Sequence, residues 1–245
     1  MKNPDQWKPT KFELAAGEWR ASRDPNELLP SSRFSATLAL NAYRTAFRDF
    51  ARGHLADFGC GKVPFYALYR DLVEEVTCID WPGSVHDSNH IDVLADLNQT
   101  TELPGAMFDT IISSSVLEHI WKHDVFWDEM VRTLRPEGHI ILNVPFVYAL
   151  HEEPHDYFRW TRHALARACA ERDLSIVQLS PYGGGADVLV DLVVRSAGAV
   201  SMTFAGWLAG IAIWARSLPM MRRVSAKHAE KLPLGYVLVA QKPLS

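Results

Sequence analysis

The chain has 245 residues, 48% hydrophobic and 22% charged, with 25 basic against 29 acidic side chains and a formal charge of −4. That composition excludes a disordered or collagen-like chain and argues against nucleic-acid binding through a broadly basic surface, because phosphate contacts need clustered Lys and Arg. Cys60, Cys78 and Cys169 form no CxxC pair, which points to a reducing compartment and away from a structural zinc site. The opening Met1–Trp7 has no apolar run of the secretory kind, so a cytoplasmic setting is expected.

The first stretch, residues 1–32, is polar and Pro-interrupted, with Trp7, Phe12 and Trp19 spaced through it. It reads as an arm or lid lying over a core. Ser32 is placed to cap a helix from Arg33 to about Arg52, where Phe34, Leu38, Tyr43, Ala46, Phe47 and Phe50 recur at near-helical spacing. The period then shortens. His54–Phe58, Val76–Ile79, Phe108–Ser113 and Ile140–Val144 are short apolar runs, separated by helix-like stretches at Phe65–Leu72 and Trp121–Leu134, the second stopped by Arg135-Pro136-Glu137-Gly138. A helix over Arg162–Arg172 with Thr161 as its N-cap, a strand over Ser175–Leu179 and a last strand over Tyr236–Ala240 complete the alternation. Strand-helix repetition with strands apolar on both faces predicts a doubly wound α/β domain with a mostly parallel sheet, spanning residues 33–245, with an apolar helical insertion at 186–232.

The most informative segment is Leu55-Ala56-Asp57-Phe58-Gly59-Cys60-Gly61-Lys62-Val63-Pro64, which closes the first strand and opens a helix. Gly59 and Gly61 allow a tight turn and let a ligand approach the backbone; a plain strand-to-helix turn is the alternative. Asp80 ends the second strand a little over 20 residues later, which places a carboxylate beside the turn, able to accept from ribose hydroxyls. Val63 stands where a dinucleotide-binding turn has its third glycine, and no basic clamp follows. A nucleoside without phosphates fits better than a dinucleotide.

Taken together, Leu55–Gly61, Asp80, Asp96-Leu97, Phe108-Asp109, Val116-Leu117-Glu118-His119 and Leu134–Gly138 resemble a class I S-adenosylmethionine-dependent methyltransferase, of the small-molecule type with a Leu-Glu-His segment after the fourth strand. The resemblance covers roughly Leu55–Leu179 and, by implication, the final strand. It implies a Rossmann-like sheet of seven strands with the last antiparallel, and S-adenosylmethionine as cofactor. Gly59 and Gly61 would pass under its methionine part with Asp57 buttressing the turn; Asp80 would hold the ribose, Asp96 and Leu97 would meet the adenine, and Ser114 and Ser115 would line the sulfonium side. Competing readings are a scaffold that binds the cofactor without turnover, and an NAD-dependent oxidoreductase or epimerase, which would need a third glycine and a Tyr-xxx-Lys pair that the chain lacks.

Six of the ten histidines lie between positions 119 and 163, at the ligand-binding edge of such a sheet. The densest piece is the loop Pro145–Thr161, and loops above a rigid α/β edge commonly carry catalytic groups. His151 or His155 is expected as general base, Asp156 as the group that orients an imidazole, and Tyr157 or Arg159 as the holder of the acceptor; backbone satisfaction and helix capping are the plainer roles. Glu118-His119 with His151, Glu152 and His155 also supplies metal donors on paper. Relatives that bind a divalent ion carry an acid where Ser114 stands, so no metal is expected and His119 reads as a pocket or packing residue.

Ser196–Ala215 carries no charge and is flanked by Arg195, Arg216, Arg222 and Arg223. Its length suits a membrane span, but a single crossing would strand the closing Tyr236–Ala240 on the far side. Three readings stand: peripheral contact through 186–216 with the inner membrane face, a homodimer or lid surface, or a cap over the acceptor pocket. The expected acceptor is a small molecule, a glycan or a lipid-linked sugar, methylated on oxygen.

Overall fold

The computed structural model describes residues 1–84 and 89–244. They divide into two compact units, one built from Met1–Lys8, Arg44–Ser180 and the segment from Tyr236 onward, the other from Pro9–Tyr43 and Pro181–Gly235. This division cuts across the expected boundary between residues 32 and 33. The first eight residues belong with the sheet, where the Lys2 N–H donates to the His90 carbonyl and the Met1 ammonium pairs with Asp92 at 3.0 Å.

In chain order, β1 (Phe12–Ala15) and β2 (Glu18–Ala21) form a hairpin whose two turn residues, Ala16 and Gly17, both have positive φ, the twist that tight hairpins favour. Then come α1 (Arg33–Phe50), β3 (His54–Phe58), α2 (Tyr66–Tyr69), β4 (Glu75–Asp80), β5 (Val93–Leu94) and β6 (Phe108–Ser114). After them stand α3 (His123–Thr133), β7 (Leu134–Pro145), α4 (Arg162–Ala170) and β8 (Ser175–Tyr182). The chain closes with α5 (Gly185–Val200), α6 (Met202–Ser217), α7 (Pro219–Ala226) and β9 (Gly235–Gln241).

Seven strands form one sheet in the order β5-β4-β3-β6-β7-β9-β8. The pairs β4–β5, β3–β4, β3–β6 and β6–β7 are parallel. The last strand runs the other way: the Glu137 N–H at the start of β7 donates to the carbonyl of Lys242 past the end of β9, and the Lys242 N–H donates to Gly138. Leu55, Ala56 and Phe58 of β3 and Ile111 and Ile112 of β6 are fully buried, because helices cover both faces of a parallel sheet. The chain winds outward from β3 on one side and from β6 on the other, so the crevice at their carboxyl ends is the switch point where such sheets bind ligands.

Two elements differ from the sequence reading. The helix expected over Phe65–Leu72 is one turn, since Phe65 offers no side-chain cap and the buried Tyr69 ties the turn to β3 instead. Arg135–Gly138, expected to interrupt the chain, lies inside β7: Glu137 takes a φ of 63° and the pairing with β6 shifts register between Phe108 and Thr110, a bulge that absorbs the extra residues.

In the second unit, the buried Asp187 of α5 accepts from the Gly184 N–H, pairs with Arg216 of α6 at 3.1 Å and bonds Ser225 of α7. One carboxylate thus joins three helices. The uncharged run 196–215 is split by Ser201, whose extended backbone ends α5 and whose hydroxyl accepts from the Phe204 N–H to start α6. Among the described residues no helix is long and apolar enough to cross a membrane.

Candidate functional site

The turn after β3 hugs β4: the N–H groups of Gly59 and Cys60 both donate to the Ile79 carbonyl, at 2.8 and 3.1 Å. Gly59 has a φ of 75°, and a Cβ there would stand 2.8 Å from Val116 Cγ1 and closer still to Cγ2. Only glycine fits. Val63, in the place of the third glycine, keeps a left-handed φ of 50°, a strained state for a β-branched residue. Its surroundings hold it: the side chain is buried, its N–H donates to the Cys60 carbonyl, and its own carbonyl accepts from Trp7 Nε1 at 3.0 Å. Trp7 in turn packs edge-on against Tyr66.

Asp80, 5% exposed, uses one carboxylate oxygen to accept from the Gly61 N–H at 2.9 Å and the other to accept from the Trp81 N–H at 2.8 Å. Asp57 lies behind the turn, accepting from the Tyr69 hydroxyl at 3.0 Å. Burial raises its pKa to about 7, against the lowering effect of that hydroxyl and with a further push from Asp80. Asp96 is half-buried and accepts from the backbone and side chain of Asn98 and from Gln99; burial pushes its pKa up, but these donors outweigh it and hold the carboxyl below its ordinary value. Leu97 is buried in the core. Ser114 and Ser115 are half-exposed at the end of β6, and the Ser115 N–H donates to the Asn143 carbonyl of β7 at 2.9 Å.

The loop after β7 is latched onto the turn formed by Leu117–His119. The Glu118 carbonyl accepts from the N–H groups of Tyr157 and Phe158, and His119 Nδ1 lies 2.9 Å from the His155 carbonyl. Asp156 accepts a forked pair from Arg159 at 2.5 and 2.7 Å and the His151 N–H at 3.0 Å, and its Oδ2 lies 3.2 Å from His151 Nδ1. Burial would raise its pKa, but Arg159 and His151 bring it down to about 2. The imidazole that Asp156 orients is therefore that of His151. Arg159 also donates to the carbonyls of Tyr148, Ala149 and Phe158, so its guanidinium braces the loop. His155 is exposed, with Nδ1 2.9 Å from the Tyr157 hydroxyl and its ring edge-on to Trp81, the neighbour of Asp80. His155 is thus the loop residue that meets the neighbour of Asp80.

Glu118 carries more than the sequence reading gave it. Its side chain is fully buried, and neither carboxylate oxygen has a hydrogen-bond partner among the described residues. His151 Nε2 lies 3.6 Å from it and His119 Nε2 3.9 Å. The adjacent Glu118-His119 pair was visible in the sequence; that His151 would fold back onto it was not.

Residues 56–142 match the family described as methyltransferase domain. No curated protein matches the chain. Among solved structures, the fold is similar to an S-adenosylmethionine-dependent methyltransferase from Mesorhizobium loti (13% identity, TM-score 0.52, covering 85% of this chain and 100% of that one). It is also similar to the cyclase SpnF (17%, 0.53, 86% and 82%). A third likeness is to phosphoethanolamine N-methyltransferase 2 of Haemonchus contortus in complex with S-adenosyl-L-methionine (13%, 0.50, 82% and 52%). At such identities the likeness is one of fold, and the cyclase among these structures is a reminder that a fold does not fix its reaction.

Proposed function

We propose that the chain is a methyltransferase of class I, as the match of residues 56–142 to the methyltransferase domain supports, with S-adenosylmethionine as its cofactor, and that it methylates an oxygen of a small-molecule, glycan or lipid-linked acceptor. The residues present suit the cofactor: Gly59, lacking a Cβ, lets the turn pack directly against Val116, and Asp80 offers a fixed carboxylate beside it. Gly59 and Gly61 would hold the methionine part, Asp80 the ribose hydroxyls, Asp96 with Leu97 the adenine, and Ser114 and Ser115 the sulfonium side. Bound there, the cofactor supplies a methyl group already carried on a good leaving group. The protein's own share is then alignment and removal of the acceptor proton.

The observation that carries this reading is Asp80, held between the Gly61 and Trp81 amides next to a glycine whose φ and neighbours forbid any side chain. Isothermal titration with S-adenosylmethionine, S-adenosylhomocysteine and NAD tests it. Both sulfur nucleosides should bind the wild type and lose roughly 10-fold or more in Asp80→Ala, about the 1–3 kcal/mol of hydrogen bonds to a charged group. Tight NAD binding with no response to the sulfur nucleosides overturns it.

His155, exposed beside Trp81 and bonded to Tyr157, is the proton acceptor in this reading, with Tyr157 alongside to hold the acceptor. His155→Ala should keep cofactor affinity and lose turnover; equal loss of both makes the residue structural. Leu189, Leu192, Val193 and Val200 of α5 and Phe204, Trp207, Ile211 and Trp214 of α6 are exposed. Those of α6 recur three and four residues apart as one stripe, and exposed Arg222 and Arg223 follow on α7. Aromatic side chains with nearby Arg suit the surface of an anionic membrane, where a lipid-linked acceptor would be met.

A further inference from the structure

We propose that Glu118, His119 and His151 form a binding site for one divalent cation of the transition series, with Mn²⁺, Co²⁺ and Zn²⁺ as its chemical class. The argument starts from proton positions. The His155 carbonyl can only accept, so His119 Nδ1, 2.9 Å away, carries the hydrogen. His151 Nδ1 faces the Asp156 carboxylate at 3.2 Å and the Ala149 carbonyl at 3.3 Å, both acceptors, so it carries a hydrogen as well. When each imidazole is neutral, as in a metal-bound ring, its Nε2 presents a lone pair.

Both lone pairs converge on Glu118. The three donor atoms lie within 4.8 Å of one another. Glu118 is fully buried, neither of its oxygens meets a hydrogen-bond donor among the described residues, and His119 Nε2 is buried without a partner too. Two imidazole nitrogens converging on a buried carboxylate whose oxygens have no hydrogen-bond partner within bonding distance is an arrangement that a cation completes. The separations agree: 3.6 and 3.9 Å from the two Nε2 atoms to Glu118 Oε1 are slightly wider than the roughly 3.4 Å ligand–ligand edge of a tetrahedron with 2.0–2.1 Å bonds.

The surrounding bonds are those that metal-binding imidazoles use. Each ring is fixed through its other nitrogen by a carbonyl or carboxylate, the carboxylate itself fixed by Arg159. Two nitrogen donors with one oxygen favour transition-series ions over Mg²⁺ and Ca²⁺, which prefer all-oxygen shells. The Glu152 carboxylate, 3.9 Å from His119 Nε2 on the exposed side, borders the open side of the site, where water or an oxygen of a bound molecule would complete the coordination. Sequence reading expected no metal because Ser114 replaces an acid; here His151 supplies the third ligand from the loop.

The test is calorimetric titration of chelator-treated protein with MnCl2, CoCl2, ZnCl2 and MgCl2, without any nucleoside. One equivalent of a transition-series ion should bind, Mg²⁺ more weakly, with Co²⁺ giving visible d–d bands. Glu118→Gln and His151→Asn should each weaken binding by roughly 100-fold, a loss at the upper end of that seen for supporting residues alone. Should one variant fail to fold, the other reads the same site. Absence of binding at millimolar metal, or binding that neither variant changes, overturns the proposal; the first result would leave His151 and Glu118 as an ion pair. The metal titration stands apart from the nucleoside titration, so either reading can fail without the other.

Discussion

Two buried carboxylates stand at the same edge of the sheet and are treated oppositely by the chain. Asp80 is met by the Gly61 and Trp81 amides, and its presence explains the path of the turn. Glu118 is more deeply buried, has no hydrogen-bond donor within bonding distance and faces the Nε2 atoms of His151 at 3.6 Å and His119 at 3.9 Å. A buried charge needs donors or a counter-ion. Asp80 is therefore complete in the free protein and Glu118 is not, which separates a residue that shapes its site from one that waits for a guest.

The harshest way to break the Asp80 half of this contrast is to deform the turn it holds. Gly59→Val places a β-branched side chain at a φ of 75° and inside the Val116 side chain, costing roughly 4 kcal/mol from strain and overlap together. Thermal melting should show a large fall in Tm, and any folded fraction should not bind S-adenosylhomocysteine. Gly210 is the control: it lies in α6 with nothing within 4 Å of an added Cβ, so Gly210→Ala should gain roughly 0.5–1 kcal/mol. Equal behaviour of the two would remove the turn from the argument.

Asp57 sharpens the contrast through pH. Its folded pKa of about 7 lies above the unfolded value, so the native state binds the extra proton. Its contribution is full below the unfolded pKa near 4 and is lost as pH rises through about 7, roughly 4 kcal/mol in all. Asp57→Asn keeps an oxygen for the Tyr69 hydroxyl and removes the titration. The stability gap between variant and wild type, read from urea midpoints, should shift in favour of the variant from pH 4 to pH 7; parallel curves would mean that Asp57 does not change its charge there.

The central test applies one chemical change to both carboxylates. Asp80→Asn turns an acceptor into an amide NH2 that must face the Gly61 or the Trp81 N–H, and should destabilise by about 2 kcal/mol. Glu118→Gln removes a buried charge that has no hydrogen-bond donor within bonding distance, and should raise the stability of metal-free protein by about 1–2 kcal/mol. Opposite signs in denaturant melts support the distinction. Loss of stability in both would mean that Glu118 has a donor after all.

How much of this was readable beforehand differs between the two places. The strand at His54–Phe58, the turn and Asp80 are local in sequence and carry their own signals: an apolar run, two glycines, an acid at a strand end. Thr161 was likewise legible as a cap, and its hydroxyl accepts from the Ala164 N–H. The choice between His151 and His155 as the ring oriented by Asp156 was not, because it depends on how the loop folds back on the Leu117–His119 turn. Nor was the register shift that carries Arg135–Gly138 into β7, since a bulge is decided by the strands on either side. The break at Ser201 had its signal, a Ser three residues before Phe204, but composition drew attention to the uncharged run as a whole.

The mildest prediction extends the distinction between complete and incomplete groups to the helices. Asp187 is satisfied three ways within its own unit, whereas Trp207 and Trp214 of α6 are 62% and 65% exposed. Side chains that bury little contribute little to folding, so the double change of Trp207 and Trp214 to Ser should move stability by no more than about 0.5 kcal/mol. Binding to a membrane depends on apolar area entering the interface together with attraction between Arg and anionic headgroups. The same variant should therefore lose co-sedimentation with phosphatidylglycerol-containing vesicles while its melt is unchanged, and added salt should weaken the wild type's binding as Arg222 and Arg223 are screened. Wild-type protein that stays in the supernatant but elutes as a dimer, which the variant converts to monomer, would assign the stripe to a second copy of the chain instead.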